Sequence, residues 1–420
     1  MLFSTSFQIE GGRKRRPEER LLSMLSPIDD KEIAVLRDWR HKLHQFPEVS
    51  GEEVETAREV VSFLSDTQPD QVITELGGHG VALVYEGEQS GPAVLLRCEL
   101  DALQIQEISD LPYKSRNDGK AHMCGHDGHM TMMAAVARQL HRKRPLQGRA
   151  ILLFQPAEET AHGAEAVIAD PKFASIKPDY AFAIHNMPGL PLGHIAVAPG
   201  QITCASMGLC IKLTGKVSHA SVPEAGISPA MAVSRIIAAL QRLQAGEIVE
   251  PGFRRLTVTG VEMGKRVFGI TPGNAEIRMT LRTPESDAIM GLLEETLDMA
   301  RKIAAEERLT LDYSTHNFFR ACVNDNDAAA IFDNAVERMA LSRVTDYLPI
   351  RGAEDFGLFG SCSKSALLFI GSGMDHPMVH NPDYDFPDEL IPQGAGIFLG
   401  VLDQLLGSTH QKPTETLKTS

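Results

Sequence analysis

The chain has 420 residues, a formal net charge of -14 and a sequence pI near 5.5. This acidic balance argues against general nucleic-acid binding, and no apolar run reaches the roughly 18 residues that a membrane-spanning helix needs. With 43% hydrophobic and 23% charged residues, the composition is that of a soluble globular protein long enough for two domains. Its six cysteines are scattered rather than arranged as a disulfide framework, which favours a reducing, cytoplasmic compartment.

Hydrophobic periodicity predicts alternating helices and strands from residue 31 onward. Residues 31–46 have the apolar spacing of a helix. Ser50, with Glu53 three residues on, is predicted to open a second helix through a capping box. The elements predicted next are strands 72–76, 81–85 and 93–100, helix 129–141, and strands 150–155 and 180–184. This alternation predicts an α/β fold with a mixed, mostly parallel sheet flanked by helices.

The pattern changes near residue 200. The elements predicted there are strand 207–213, helix 229–243, strands 256–261 and 275–282, helix 287–307 and strand 309–313. Their β-α-β-β-α-β order is typical of a ferredoxin-like α+β unit, which we place at 201–316 as an insertion into a domain formed by 29–200 and 317–408. That domain resumes with helix 326–341, strand 366–370 and helix 389–406. Residues 1–28, which have no secretory-signal pattern, and 409–420 are predicted to be loose tails.

The densest cluster of chemically active residues is the segment 121–129, which holds a thiol, three imidazoles and a carboxylate around two glycines. Cys124 and His126 are two residues apart, so in an extended loop both can face one ion. Thiolate, imidazole and carboxylate together suit zinc and neighbouring transition metals. Each residue alone is more often a core or surface group, and only the cluster favours a metal. Because the chain has no paired Cys-x-x-Cys motifs, the pattern does not predict a structural zinc site.

Further candidate groups follow predicted strands, where ligands gather in open α/β sheets. Glu158 and Glu159 come directly after strand 150–155, and adjacent residues of extended backbone point in opposite directions. One carboxylate can therefore bind metal while the other stays free as a base. His185 and His380 are ambiguous when taken alone. Together the donors exceed one tetrahedral zinc and fit two metals, a combination that indicates metal-assisted amide hydrolysis.

These motifs resemble those of the M20 metallopeptidase superfamily. Within it, they are most similar to the amidohydrolase branch of hippurate hydrolases, N-acetyl-diaminopimelate deacetylases and plant auxin–amino-acid conjugate hydrolases. The resemblance covers about residues 30–405, and its Cys-Gly-His-Asp-Gly-His motif is specific to this branch. The segments that carry it are 40–48, 99–103, 123–131, 154–159 and 353–356.

The resemblance implies a catalytic centre with two divalent ions, which the donor chemistry leaves open among Mn, Zn, Co and Ni. It implies Glu158 as the general base and Asp101 as an acidic residue close to the metals. The implied metal ligands are Cys124, His126, Glu159, His185 and His380.

The resemblance also implies that the inserted unit is a lid and dimerisation domain, and hence a homodimer or a larger assembly. His219 matches a histidine that reaches a partner's active site and polarises the substrate carbonyl. Arg282 matches a position that holds a substrate carboxylate, for which bidentate pairing suits an arginine. Asn186, next to His185, is expected to contact substrate.

The chain departs from the family pattern at four positions that are not proposed ligands. Glu224 and Gly269 stand in the lid where a histidine and an asparagine are common. Glu99 and Gln104 replace a more typical aspartate and proline. Hydrolysis is still expected with these changes, but they do not predict which acyl group is preferred.

Four functions are compatible with these residues. The leading hypothesis is an amidohydrolase that cleaves small N-acyl amino acids. An exopeptidase acting on dipeptides is the nearest alternative. A metal-binding relative without catalysis is disfavoured by the intact Glu158. A redox protein centred on Cys124 is disfavoured because no resolving cysteine lies nearby in sequence.

Overall fold

The fold is taken from a computed structural model that describes residues 28–248, 250 and 252–407. The predicted tails at 1–28 and 409–420 lie outside the described residues, except for Ile28, which is buried against the core. Within the described chain, no helix combines the length and apolar character needed to cross a membrane. All six cysteines lie in the described part and are free thiols.

The predicted helices and strands appear in the predicted order with shifted ends. The sequence did not indicate one short helix, Gly163–Ala169, and three two-residue strands, Ile195–Ala196, Gly200–Gln201 and Val323–Asn324. The described helices are α1 (Asp30–Gln45), α2 (Val54–Leu64), α3 (His126–Arg142), α4 (Gly163–Ala169), α5 (Ala230–Leu240), α6 (Ala288–Glu306), α7 (Asn326–Arg338) and α8 (Leu390–Leu406). The described strands are β1 (Gln71–Leu76), β2 (Gly80–Glu86), β3 (Gln89–Glu99), β4 (Gln147–Gln155), β5 (Tyr180–Pro188), β6 (Ile195–Ala196), β7 (Gly200–Gln201), β8 (Ala205–Thr214), β9 (Arg255–Met263), β10 (Asn274–Thr283), β11 (Thr310–Phe319), β12 (Val323–Asn324) and β13 (Lys364–Gly373).

The main sheet has seven strands in the order β1-β2-β4-β3-β5-β13-β6. Its central strands β4, β3, β5 and β13 are parallel, whereas β1, β2 and β6 pair antiparallel towards the edges. Leu152 and Phe154 face one hydrophobic core, and Ile151 and Leu153 face another on the opposite side. The predicted α/β fold with a mixed sheet covered on both faces is thus confirmed, with parallel pairing confined to the centre.

The second sheet belongs to a unit that we call the lid, which runs from β8 to β11. Its strands are antiparallel in the order β11-β8-β10-β9, and α5 and α6 pack on it around a core of its own. This arrangement is the predicted ferredoxin-like unit. β11 continues to Phe319, past the predicted lid end at residue 316. The boundaries of the domains at 29–200, 201–316 and 317–408 stay predictions.

Two chain segments join the lid to the main sheet, and they lie side by side. β7 pairs antiparallel with β12 through Gln201 opposite Val323 and Gly200 opposite Asn324. The Gln201 amide nitrogen also donates to the carbonyl of Pro284 at 2.7 Å, just beyond the end of β10. Both crossings between the two units therefore occur at one place.

Three local predictions are wrong. Ser50 does not cap α2, which begins at Val54; its hydroxyl donates instead to Asp101 Oδ2 at 2.7 Å. A capping box is also prevented because the buried Glu53 carboxylate accepts the backbone N–H of Ala157 at 2.8 Å.

The other two corrections concern elements that extend further than local patterning indicates. His185 lies within β5 rather than after it, because β13 pairs with β5 along its length and places Phe369 opposite His185. His126 begins α3 and does not lie in a preceding loop.

Candidate metal centre

The carboxyl ends of the parallel strands meet at one edge of the main sheet. β3 ends at Glu99, β4 ends at Gln155, His185 lies near the end of β5, and His380 lies in the loop after β13. Because such an edge collects ligand groups in open α/β sheets, this is where the predicted site residues are expected to meet.

All five predicted metal ligands do meet there, in two overlapping groups. Donor atoms of Cys124, His126 and His185 lie within 4.8 Å of one another, and so do those of Cys124, Glu159 and His380. Cys124 Sγ is 3.5 Å from His185 Nε2. The Glu159 carboxylate oxygens lie 4.0 Å from His126 Nε2 and 3.5 Å from His380 Nε2. Cys124 is therefore common to both donor groups.

Two of the imidazoles are held in the tautomer that a metal needs. His126 Nδ1 donates to the carbonyl of Asp101 at 2.8 Å, and His185 Nδ1 donates to the carbonyl of Asn186 at 2.6 Å. Since a carbonyl only accepts, each Nε2 is left with its lone pair facing the cluster. A metal-binding histidine is typically oriented by such a bond from its other nitrogen.

His129 lies in the same cluster but has no free nitrogen. Its Nδ1 donates to Glu99 Oε2 at 2.7 Å, and its Nε2 accepts the backbone N–H of Asn186 at 3.2 Å. Although Glu99, His126 and His129 are close enough to surround an ion, these bonds make His129 a link between β3 and β5 rather than a ligand.

Three buried atoms that are able to bind a cation have no hydrogen-bond partner within the described residues: Asp101 Oδ1, His126 Nε2 and Glu159 Oε1. A buried polar atom left without a partner costs roughly 1–3 kcal/mol. Divalent cations would supply the interaction that these atoms lack, so the residues present fit a metal centre.

The electrostatics of the cluster also favour cations. Burial, together with the Glu354 and Glu159 carboxylates, raises the pKa of Glu158 well above its usual range. Burial alone would lower the pKa of His126, but the Asp101 side chain and the carboxylates of Glu99 and Glu159 raise it to about 10. Burial and the same glutamates raise the pKa of the Cys124 thiol. The pocket thus carries an excess of negative charge that metal ions would neutralise.

A buried arginine lies beneath the general-base candidate. Arg97 contacts Glu99 and donates to Glu354 at 2.8 Å and to Asp355 at 2.6 Å. Oxygens of Glu354 and Asp355 are within 4.8 Å of an oxygen of Glu158. In the sequence, residues 353–356 stand out only through the resemblance. No local pattern pairs them with Arg97, because 257 and 258 residues separate the partners.

The backbone around the ligands adopts unfavourable conformations. Ala157, Ala161 and His380 have positive φ angles of 52°, 61° and 68°, a region that residues with a side chain seldom occupy. The N–H of His380 donates to the carbonyl of Met123 at 2.6 Å, which ties its loop to the Cys124 segment. Such strain concentrates at functional sites.

The two glycines of the Cys-Gly-His-Asp-Gly-His motif permit close packing of the chain that follows His380. A Cβ at Gly125 would lie 2.2 Å from Asn186 Oδ1 and 3.0 Å from the Tyr384 hydroxyl. A Cβ at Gly128 would lie 2.2 Å from the ring of Phe386. Glycine is therefore required at both positions for the ligand segments to approach one another.

The remaining predicted residues occupy different parts of the site. Asp101 is fully buried and accepts the Ser50 hydroxyl and the backbone N–H of Glu159, the latter at 2.9 Å. Asn186 is fully buried and donates to the Tyr384 hydroxyl at 2.6 Å. A catalytic role for Asp101 and a substrate contact for Asn186 stay predictions.

The two predicted lid residues lie outside both donor groups. His219 is exposed, and its ring contacts the hydroxyl of Ser221 at 2.7 Å. Arg282 lies at the end of β10, where it donates to the carbonyl of Arg351 at 2.7 Å. In the described part of the chain no carboxylate pairs with Arg282.

The comparisons with known proteins agree with this geometry. The sequence profile of Peptidase family M20/M25/M40 matches residues 95–404. The chain belongs to this family. M20 relatives include the hippurate hydrolase of Campylobacter jejuni, which is 31% identical over 86% of this chain and 93% of the relative. IAA-amino acid hydrolase ILR1-like 4 of Arabidopsis thaliana is 30% identical over 91% of this chain and 90% of its own length.

A solved structure of an M20 protein from Bacillus subtilis, described as a dinuclear metal binding peptidase, aligns with a TM-score of 0.73 and 27% identity. The alignment covers 90% of this chain and 99% of that one. The predicted M20 family, α/β fold with an inserted unit, and amide-hydrolysing enzyme class are confirmed. The donor groups and this M20 neighbour also support two divalent metal ions.

Proposed function

We propose that this M20 enzyme hydrolyses N-acyl amino acids to a carboxylic acid and a free amino acid. The observation that carries the proposal is the placement of Glu158. It is a buried carboxylate adjacent in sequence to the ligand candidate Glu159, and its oxygen lies within 4.8 Å of donor atoms of Glu159 and His126. A carboxylate beside the ligands but outside the five-residue ligand set is what a general base requires.

The metal ions would be held by Cys124, His126, Glu159, His185 and His380, with Cys124 common to both donor groups. Their mixed sulfur, nitrogen and oxygen atoms accept manganese, zinc, cobalt or nickel, so the ion depends on availability as well as on affinity. When bound, two such ions polarise the amide carbonyl and lower the pKa of water.

The chain itself moves the proton. Glu158 accepts a proton from the attacking water, whose oxygen forms the new bond to the carbonyl carbon. As the carbon–nitrogen bond breaks, Glu158 passes that proton to the departing amine nitrogen. The raised pKa of Glu158 suits a group that must hold the proton between these two events.

The substrate contacts proposed for the lid follow from charge and exposure. Arg282 has a guanidinium without a carboxylate partner in the described chain, which suits it to bind the free carboxylate of the amino acid. His219 is exposed on the lid, and we place it at the active site of a partner subunit, where it donates to the substrate carbonyl. Asn186 would complete the substrate site. The role of His219 requires a homodimer. The free thiols support a cytoplasmic location.

A dipeptide-cleaving exopeptidase is the second candidate. The similar solved structure from Bacillus subtilis favours this candidate, because that protein is described as a peptidase. The same base and donor groups would serve, because a dipeptide also presents an amide followed by a free carboxylate.

The test compares hydrolysis of N-acetyl amino acids, N-benzoyl amino acids and dipeptides. The full-length enzyme is stripped of metal and then restored with manganese, zinc or cobalt. Glu158→Gln is assayed beside Glu165→Gln, which removes a nearby exposed glutamate of α4. We expect metal-dependent release of free amino acid that falls by about 10²–10⁴-fold in Glu158→Gln and is unchanged in the control.

Metal content separates the possible failures. Glu158→Gln that retains both ions but loses turnover supports the general-base role. A faster rate on dipeptides than on every acyl amino acid would replace the first candidate with the second. Two bound ions without hydrolysis of any substrate would contradict both candidates.

A further inference from the structure

The first motif of the chain, on α1, has no part in the chemistry proposed above. Arg40 and His44 are four residues apart and therefore lie on the same face of the helix. Both side chains are completely buried. A buried arginine requires charged partners, and those of Arg40 lie next to His126 and a few residues after His380. His44 shares one of them and also contacts Glu107.

The first partner is Asp127, the residue after His126. Arg40 Nη1 and His44 Nδ1 both donate to Asp127 Oδ2, at 3.0 and 2.9 Å. Asp127 is itself completely buried in the first turn of α3. These bonds fix the start of α3, and with it Cys124 and His126, against α1.

The other partners follow His380. Arg40 Nη1 also donates to Asp385 Oδ1 at 2.9 Å, and its Nε donates to Asp388 Oδ1 at 2.5 Å. Asp385 is further held by the hydroxyl of Tyr113 at 2.6 Å. One guanidinium therefore joins the segment after His380 to the segment that contains Cys124 and His126.

This connection matters because one donor group spans both segments. Cys124 and Glu159 approach His380 only if the loop after β13 is seated correctly on the start of α3. A buried cluster of ions adds little net stability compared with apolar packing of similar volume, since desolvation offsets the attraction. It does impose a defined geometry, because one guanidinium bonds three carboxylates, Asp127, Asp385 and Asp388, that must lie in fixed directions around it.

We propose that Arg40 is a positioning residue that sets the spacing between the Cys124 segment and His380, and thereby the affinity of the Cys124–Glu159–His380 group for its ion. The inference rests on the proposed metal centre. It assigns Arg40 no contact with substrate.

Arg40→Lys tests this role in the full-length protein. Lysine keeps the buried positive charge but lacks the planar fork that reaches carboxylates in two directions. The matched control is Arg142→Lys. Arg142 also joins α3 to α1, through a 2.6 Å bond to Glu32, but its partners lie away from the donor groups.

The measurements use Zn²⁺ and Co²⁺ alone, without substrate. Competition with a chelator gives the affinity of each equivalent of Zn²⁺, and the Co²⁺-loaded protein reports the sulfur-to-cobalt absorption band of Cys124. We expect Arg40→Lys to bind one of two equivalents at least tenfold more weakly and to change the cobalt band. We expect Arg142→Lys to match the wild type in both, with both metal-free variants still folded.

Unchanged affinity and an unchanged cobalt band in Arg40→Lys would overturn the inference, as would an equal loss in Arg142→Lys. If Arg40→Lys does not fold, Asp388→Ala decides instead. That variant removes one acceptor of Arg40 at a partly exposed position, and we expect a smaller loss in the same direction; no loss would again overturn the inference.

The proposed function fails separately from this inference. Wild-type protein that binds two ions but hydrolyses no substrate would contradict the function and leave the Arg40 result interpretable. If the wild type hydrolyses a substrate but Arg40→Lys leaves the metal affinity unchanged, the proposed function is supported and the inference about Arg40 is contradicted.

Discussion

Glu99 and His129 form a buried hydrogen bond of 2.7 Å, and each side chain is only 1% exposed. His129 accepts the backbone N–H of Asn186 with its other nitrogen, so the pair connects the end of β3 to β5 beside the ligand candidate His185. Glu99 also contacts Arg97, which extends the connection to the acidic residues beneath Glu158. The pair holds β3 and β5 together next to the metal centre but contributes no ligand to it.

Replacing His129 should therefore destabilise the fold. His129→Ala leaves Glu99 Oε2 and the N–H of Asn186 without this partner, and each buried group left unpaired costs about 1–3 kcal/mol. Urea unfolding of the metal-free protein measures the loss. His316→Ala, which removes an exposed lid imidazole, is the control. Equal stability of the two variants would show that the buried bond is not important.

Stability should fall between pH 6.5 and 9 because of His44. Burial alone would lower its pKa, but hydrogen bonds to Asp127 and Glu107 raise it from 6.5 to about 9. Within this window the folded chain retains the proton that the unfolded chain has lost, so the free energy of unfolding decreases as the pH rises. The shift corresponds to roughly 3 kcal/mol in total.

Urea unfolding across this pH range, with His44→Gln in parallel, isolates the contribution. The variant should have lower stability at pH 6.5 and a shallower decline towards pH 9. Parallel pH profiles for the variant and the wild type would contradict the assignment.

The shared position of Cys124 makes its replacement different from that of any other ligand candidate. Cys124→Ser should weaken the binding of both ions, because Cys124 belongs to both donor groups. His380→Asn should weaken mainly one. Metal stoichiometry at a defined free Zn²⁺ concentration distinguishes the two patterns. Loss of a single equivalent in Cys124→Ser would mean that the sulfur serves only one ion.

Arg282 should determine affinity for the free carboxylate of the substrate. Arg282→Met removes a charged hydrogen-bonding partner worth about 1.5–3 kcal/mol, so kcat/KM for an N-acyl amino acid should fall roughly 10- to 100-fold. The matching N-acyl amino-acid amide, which lacks the carboxylate, should be cleaved equally by both proteins. Arg278→Met on the same strand, whose side chain pairs with Glu262 instead, is the control. A similar loss on both substrates would exclude carboxylate recognition.

His219 should act on the active site of a partner subunit. His219→Ala should reduce turnover while leaving metal content intact. Dimers that mix His219→Ala with Glu158→Gln chains should regain activity, because one of their two sites combines an intact Glu158 with the partner's intact histidine. If the mixed dimers remain as inactive as either parent, transfer of the histidine between subunits is excluded.

Local sequence patterns were sufficient to predict the main elements but not the full set of ligand candidates. The strand 150–155 is apolar on both faces, and Glu158 and Glu159 follow it. Parallel strands place their ends at one edge, so groups that are distant in sequence converge without any local signal linking them. The prediction of five ligand candidates in one place depended on this rule and on the resemblance.

The supporting residues could not be predicted in the same way. The bonds from Arg97 to Glu354 and from Arg40 to Asp385 join residues that are 257 and 345 apart. Ser50 shows the opposite error: its sequence context suggests a helix cap, but α2 begins only at Val54 and the Ser50 hydroxyl donates to the buried Asp101. Helical and strand periodicity contain no information about such tertiary contacts.

The paired crossings of β7 and β12 define one end of the lid, and the two predicted lid residues lie at different distances from it. Arg282 lies opposite Ser206, at the end of the lid sheet that is next to these crossings, whereas His219 follows Thr214 at the other end of β8. Ten residues of strand extend about 30 Å, so Arg282 and His219 of one lid lie far apart. An N-acyl amino acid is much shorter than this strand, so Arg282 and His219 of one lid would act on different substrate molecules, and each complete site would draw on two chains.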